Sequence, residues 1–248
     1  MSAYPDFVAR FYNVIYDRLR SSVDHAYYLK QLTSAEGPVL EVGVGTGRLF
    51  KDAWSANADI YGVDLSEAML KIARTQPGIE PHRLISGDIR TMQLGKSFSR
   101  IVAPFRVFGH LVSLEDQLIA LDVISRHLTK NGTFVFDVFV PDAVLCTKGL
   151  EPTLDFDGFW TDGCYLRRTT SVCPDYLNQI NHVSMQYEWY ENGRDCSGTW
   201  DFPMRYFFRY ELEHLIGRSP LTLDSLNGDF EGGGLETGSK EFVVVCRL

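Results

Sequence analysis

The stretch VLEVGVGTGR, Val39 to Arg48, runs from a buried-type strand pattern into three glycines at alternating positions, Gly43, Gly45 and Gly47. A glycine-rich turn between a strand and a helix lets backbone approach a ligand, while the helix amides offer donors and a positive dipole end. A nucleotide-like ligand is implied. A phosphate loop of the form GxxxxGK[ST] does not fit, because Gly47 is followed by Arg48 and Leu49. The dinucleotide pattern GxGxxG started at Gly43 needs glycine or alanine where Arg48 stands. What remains is ExGxGxG. A carboxylate at the mouth, Glu41, sits poorly beside a pyrophosphate and suits a ligand that carries a cationic group.

Working outward, the flanks alternate strand and helix signals. Upstream, Phe7, Phe11, Val14, Ile15 and Leu19 recur at helical spacing and predict two amphipathic helices over residues 5–32, broken near Ser21 and Ser22. Downstream, GRLFKDAWSANA predicts a helix, DIYGVDLS a strand, and SEAMLKIARTQPG a helix capped by Ser66. HRLISGD and SRIVAPF predict two more strands, LEDQLIALDVISRHLTKNG a helix closed by Asn131-Gly132, and TFVFDVFV a fifth strand. This order implies an α/β fold: a Rossmann-like, seven-stranded, mostly parallel sheet with helices on both faces and the last strand antiparallel. After Pro141 the pattern changes to aromatic, β-branched, period-two segments, with Asn192-Gly193 as a hairpin signal inside YEWYENGRDCSGTW. An antiparallel β lobe inserted at residues 150–208 is expected, with 1–36 as a helical amino-terminal segment and 37–149 plus 209–248 as the main domain. RYELEHLIGRS then predicts a helix, LTLDSLNGDF and KEFVVVCRL the last strands, and GDFEGGGLETGS a mobile loop between them.

Composition narrows the partners. At 248 residues with 45% hydrophobic and 23% charged residues, the chain is of globular type and long enough to bury a full core. A net charge of −8 argues against nucleic acid. Five cysteines show neither CxxC spacing nor an even count, so reduced thiols in a cytoplasmic protein fit best. The segment MSAYPDFVARFYNVIYDRL lacks a basic region followed by an apolar core, and no apolar run approaches the ~20 residues of a membrane helix. No membrane association is expected. His25, His82, His127, His182 and His214 have no metal-ligand spacing, and no metal is expected.

VLEVGVGTGRL resembles the first motif of S-adenosylmethionine-dependent methyltransferases of the Rossmann-like class, and IYGVDLSEAML and ISGDI resemble their second and third, in order. The resemblance covers about residues 37 to 140. It implies S-adenosyl-L-methionine as cofactor, with Gly43, Gly45 and Gly47 allowing close approach and Glu41 fixing the loop and the amino end. Asp64 would accept from both ribose hydroxyls, Asp88 from the adenine amino group, and the Ile89 amide would meet a ring nitrogen. Leu65 and Met69 would flank the adenine. APFRVFGHL follows the fourth strand, where such enzymes surround the methyl group, which makes Phe105, Phe108 and His110 candidates there, with His110 as the catalytic choice. Phe11, Tyr12 and Tyr16 would form a lid, or simply pack in the core.

The position of the inserted lobe resembles that in small-molecule N-methyltransferases acting on glycine or on nucleotide-linked amino sugars. A small-molecule acceptor follows, nitrogen favoured over oxygen. Tyr187, Trp189 and Tyr190 are candidates for acceptor contact against sheet packing as the alternative. Arg205 and Arg209 are candidates for an acidic acceptor against ion pairing. The lobe is equally a candidate homodimer interface. An NAD-dependent oxidoreductase, a non-catalytic cofactor-binding protein and an aminopropyl transferase are the competing readings.

Overall fold

The computed structural model describes residues 4–19 and 22–248. Helices α1 (Asp6–Leu19) and α2 (Ser22–Thr33) lead into β1 (Val39–Val42), α3 (Arg48–Ser55), β2 (Ile60–Asp64) and α4 (Glu67–Ala73). The short β3 (Leu84–Ser86), then β4 (Phe98–Ala103), α5 (Leu114–His127) and β5 (Leu128–Phe139) complete the parallel winding. The main sheet has the order β10-β11-β5-β4-β1-β2-β3, where β10 is Thr222–Asn227 and β11 is Glu241–Arg247. Only β11 runs antiparallel to its neighbours. All four residues of β1 are buried, as expected of a strand covered by helices on both faces. The chain winds outward from β1 to β3, then returns to β4 on the other side of β1. That reversal opens a crevice at the carboxyl ends of β1 and β4, the general ligand position in open α/β sheets.

The lobe is a four-stranded antiparallel sheet, β6 (Leu150–Thr161), β7 (Cys164–Asp175), β8 (Ile180–Glu191) and β9 (Arg194–Arg205), joined in simple succession. Asn192 and Gly193 have φ of 52° and 79°, the left-handed pair that a two-residue type I′ hairpin requires. One face of this sheet receives α1: Val8, Phe11 and Ile15 pack with Phe156, Leu166, Tyr187 and Trp189 in a core of their own. Fully buried, Phe11 and Ile15 each contribute about 1.5–3 kcal/mol of apolar transfer. Arg10 closes the contact with a bidentate pair to Glu191 at 2.9 and 3.0 Å. Helix α7 (Arg209–Gly217) returns the chain to the main sheet.

One local expectation differs from the structure, and two details add to it. Helix α5 ends at His127, and Asn131-Gly132 lies inside β5, because Leu128 already pairs with Phe98 before a register shift brings Thr133 opposite Arg100. A Cβ on Gly132 would stand 2.9 Å from the Phe98 carbonyl oxygen, so the shifted segment needs a glycine for contact rather than for a cap. The glycine-rich loop after β10 is folded on itself: Asp229 accepts from the Glu231 and Gly233 amides, and Phe230 packs on Tyr27 and Tyr28. The short α6 (Ala143–Lys148) was not anticipated; Asp142 caps it through the Val144 and Leu145 amides. Among the described residues, no helix is long and apolar enough to cross a membrane.

Candidate active site

The glycine turn is left-handed three times, with φ of 74° at Gly43, 57° at Gly45 and 80° at Gly47. The three glycines do different things. A Cβ on Gly43 would stand 2.4 Å from Val107, so this position lets the turn after β4 close on the loop. A Cβ on Gly47 would meet the Ala73 methyl at 3.0 Å, so here glycine seats α3 against α4. Of the three, Gly45 has open space at its Cβ position; like Gly43 it lines the crevice, and its amide donates to Asp64 Oδ2 at 2.7 Å.

Asp64, at the end of β2, accepts on its other oxygen from the Ser66 amide at 2.7 Å. Burial raises its pKa while these backbone amides lower it. Each carboxylate oxygen keeps a lone pair for a hydroxyl. Glu41 lies beneath, 1% exposed, with one oxygen buried and without a partner among the described residues. Burial, then the neighbouring Asp64, push its carboxyl well above the usual range, against Arg48. An orphaned acceptor beside a carboxylate with two bound amides is an acceptor set that fits the amino and hydroxyl donors of an aminoacyl nucleoside. Leu65, Met69 and Ile89 line the same cleft with Gly87, and Ser66 caps α4 by accepting from the Met69 amide.

Tyr4 and Tyr12 cover this cleft and leave about 80 Å³ of free space.

A second, larger cavity of about 570 Å³ adjoins the first and shares Tyr4, Tyr12, Phe105 and His110 with it. Its lobe wall is apolar: Val183, Met185, Trp200, Phe202 and Met204. Its opposite wall carries Asp24, Asp137, Glu241 and Arg106. Arg106 donates to Glu241 Oε1 at 2.7 Å, and among the described residues the other Glu241 oxygen is buried without a partner, as is the Trp200 indole nitrogen. Burial raises the Glu241 pKa, and Asp137 is pushed up to about 6 by the same cause. A Cβ on Gly109 would lie 2.7 Å from the Met204 sulfur, so β9 presses directly on the turn that separates the cavities.

His110 stands on that turn, its ring 5.6 Å from Phe202 and 6.4 Å from Tyr4. Desolvation lowers its pKa to about 4, so the imidazole is neutral near pH 7.

The structure brings Gly43, Gly45, Asp64, Leu65, Met69, Ile89, Phe105 and His110 to the first cleft. Other expected residues lie elsewhere. Asp88 is outside the lining, its carboxylate held by Arg90, which also donates to Asp116, so its pKa is lowered. Tyr16 lines the second cavity, its ring tilted against Tyr12 with centroids 4.3 Å apart. Phe108 is buried in the main core against Phe136 and Phe207, and Phe11 belongs to the lobe core. Tyr187 and Trp189 face Phe7 in that same core, and Tyr190 stacks with Tyr165. Arg205 ties the carbonyls of Asn178, Gln179 and Tyr206 to Glu211, and Arg209 pairs with Glu213 at the surface. His25 meets Asp52, and His127 accepts from the Leu94 amide. Among the described residues, no group of three or more His, Cys, Asp or Glu could hold a metal ion.

Sequence reasoning missed Tyr4, Trp200, Phe202, Asp137 and Glu241. One signal was present: an aspartate inside the apolar run TFVFDVFV is costly in a buried strand unless it holds something.

Residues 39–132 match the family model described as a methyltransferase domain. The chain is 27% identical over 251 residues to dTDP-3-amino-3,6-dideoxy-alpha-D-glucopyranose N,N-dimethyltransferase of Streptomyces fradiae, covering 95% of this chain and 91% of that protein. A Streptomyces venezuelae relative, dTDP-3-amino-3,4,6-trideoxy-alpha-D-glucopyranose N,N-dimethyltransferase, is 30% identical over 121 residues, about half of each chain (49% and 50%). In fold, the chain is similar to the sugar N-methyltransferase KedS8 from Streptoalloteichus, with a TM-score of 0.75 at 17% identity over 99% of this chain and 96% of that one.

Proposed function

We propose that this S-adenosylmethionine-dependent methyltransferase of the Rossmann-like class methylates the amino nitrogen of a small molecule of the amino-sugar class. The observation that carries the reading is the junction of the two cavities: a cleft with the glycine loop and Asp64 on one side, and an acid-walled, aromatic chamber on the other, meeting at Phe105 and His110. The amino-sugar specificity of the Streptomyces relative supports it.

The cofactor, when bound, supplies a methyl carbon on a positively charged sulfur. The chain's residues then have to bind, align and desolvate. Asp64 holds the ribose diol, Glu41 offers its unpartnered oxygen toward the amino end, and Leu65, Met69 and Ile89 enclose the adenine. Asp88 reaches the adenine amine only if Arg90 yields it to the ligand. On the acceptor side Glu241, Asp137 and Asp24 attract an ammonium, while Trp200 and Phe202 pack against the apolar flank of a deoxy sugar. The ammonium loses its proton to solvent before attack. With its lowered pKa, His110 is a weak base but a good hydrogen-bond acceptor, and it orients the amine by accepting from its remaining N–H. The free thiols agree with a reducing, cytoplasmic setting.

Incubation with S-adenosylmethionine and a panel of amines that includes dTDP-3-amino-3,6-dideoxyglucose tests the reading by mass spectrometry. Addition of one or two methyl groups to an amino sugar is expected. Methylation only of hydroxyls, or only of protein or nucleic acid, overturns it.

A further inference from the structure

Phe105 and Arg106 are consecutive non-glycine residues in the left-handed region, with φ of 59° and 66°. Such residues cost roughly 1–3 kcal/mol each and persist only where their surroundings hold them. Successive amides in turns of this kind form a concavity that favours an anion. Here a buried carboxylate fills it. Asp137, on β5 and 2% exposed, accepts from the Arg106 amide at 3.2 Å, and the neighbouring Phe105 amide lowers its pKa. Its other oxygen accepts from the Tyr28 hydroxyl of α2 at 2.5 Å. Phe105 lines both cavities, and the side chain of Arg106 reaches Glu241 on the acceptor wall.

We propose that Asp137 is a positioning residue for methyl transfer, whose carboxylate clamps the Phe105–Arg106 turn and so sets the wall shared by the cofactor cleft and the acceptor chamber. The clamp is strongest with the carboxylate: on protonation one oxygen must donate, so the Tyr28 contact has to reverse and the amide contact loses its charge assistance. The groups facing Asp137 are Tyr28, Tyr27 and Asp24 from α2, Arg106 from the turn and Glu241 from β11. Burial and Glu241 raise the Asp137 pKa, while Tyr28, Arg106 and the Phe105 amide lower it, and the balance stands at about 6. The clamp is therefore tight above that pH and loosened below it.

The proposal rests on the cofactor assignment and not on the identity of the acceptor, so its test needs no acceptor. Binding of S-adenosylhomocysteine is titrated calorimetrically to the wild type, Asp137→Asn and Tyr28→Phe at pH 7.5 and 5.0, with circular dichroism melts as the folding control. Asp137→Asn is expected to bind about ten-fold more weakly at pH 7.5 and about equally to the wild type at pH 5.0. Tyr28→Phe removes a donor that favours the charged form, so its affinity begins to fall at a higher pH than the wild type's. A variant that is merely destabilised would show a deficit that does not close with acid. Equal affinity of wild type and Asp137→Asn at both pH values overturns the proposal, and if Asp137→Asn does not fold, an unshifted pH profile in Tyr28→Phe does so. Failure of all three proteins to bind at either pH would instead overturn the cofactor assignment.

Discussion

The cofactor cleft and the acceptor chamber meet at one turn but are built in opposite ways. Half of the cleft is local in sequence: Gly43, Gly45, Asp64, Leu65, Ser66 and Met69 come from two consecutive strand-to-helix connections. Its polar contacts are largely backbone amides aimed by secondary structure, as in Gly45 and Ser66 on Asp64. The chamber gathers Asp24, Arg106, Asp137, Trp200 and Glu241 from α2, a turn, two strands of the main sheet and the lobe. Its recognition rests on side chains. A cleft made of backbone tolerates sequence drift and keeps one ligand, whereas a chamber made of side chains can change acceptor by single substitutions.

Substitutions should separate the two regions. The largest effect is expected for Gly43→Ala, which combines a left-handed φ with a Cβ 2.4 Å from Val107; roughly 2–4 kcal/mol of stability and about a hundred-fold of cofactor affinity should be lost. A melt and a cofactor titration check it, and unchanged affinity would detach the glycine turn from the cleft. Glu241→Gln should raise the acceptor KM about ten-fold, near 1.4 kcal/mol, and leave cofactor affinity unchanged. Steady-state kinetics with the amine identified by the panel decides; a change in cofactor affinity instead would blur the division.

His110→Ala should lower kcat roughly ten-fold, below the loss expected of a true proton acceptor. A drop of a thousand-fold would restore it as a general base. Arg209→Ala, at an exposed pair with Glu213, should change stability by less than about 0.5 kcal/mol and leave kinetics alone.

The same contrast explains what the sequence made legible. Gly43, Gly45, Asp64 and Ile89 could be read because loop chemistry is encoded within a few residues of the strand that delivers it. The hairpin at Asn192-Gly193 was legible for the same reason. Asp137 and Glu241 were not, because they meet only after β11 inserts beside β5 and brings Glu241 opposite Phe139. Trp200 looked no different from Trp189, yet only Trp200 lines the chamber, which depends on where β9 crosses Gly109. Phe105 and Phe108, three residues apart, part company because two left-handed residues turn one toward the cleft while the other stays in the core. The end of α5 was misplaced because an Asn-Gly pair signals a cap locally but here fills a register shift between β4 and β5.

The most direct measurement is a calorimetric titration of S-adenosylmethionine into the wild type and into Asp64→Ala. The account predicts one site of micromolar affinity in the wild type, lost by at least a hundred-fold when the carboxylate that receives the Gly45 and Ser66 amides is removed. A folded Asp64→Ala protein that binds as tightly as the wild type would contradict it.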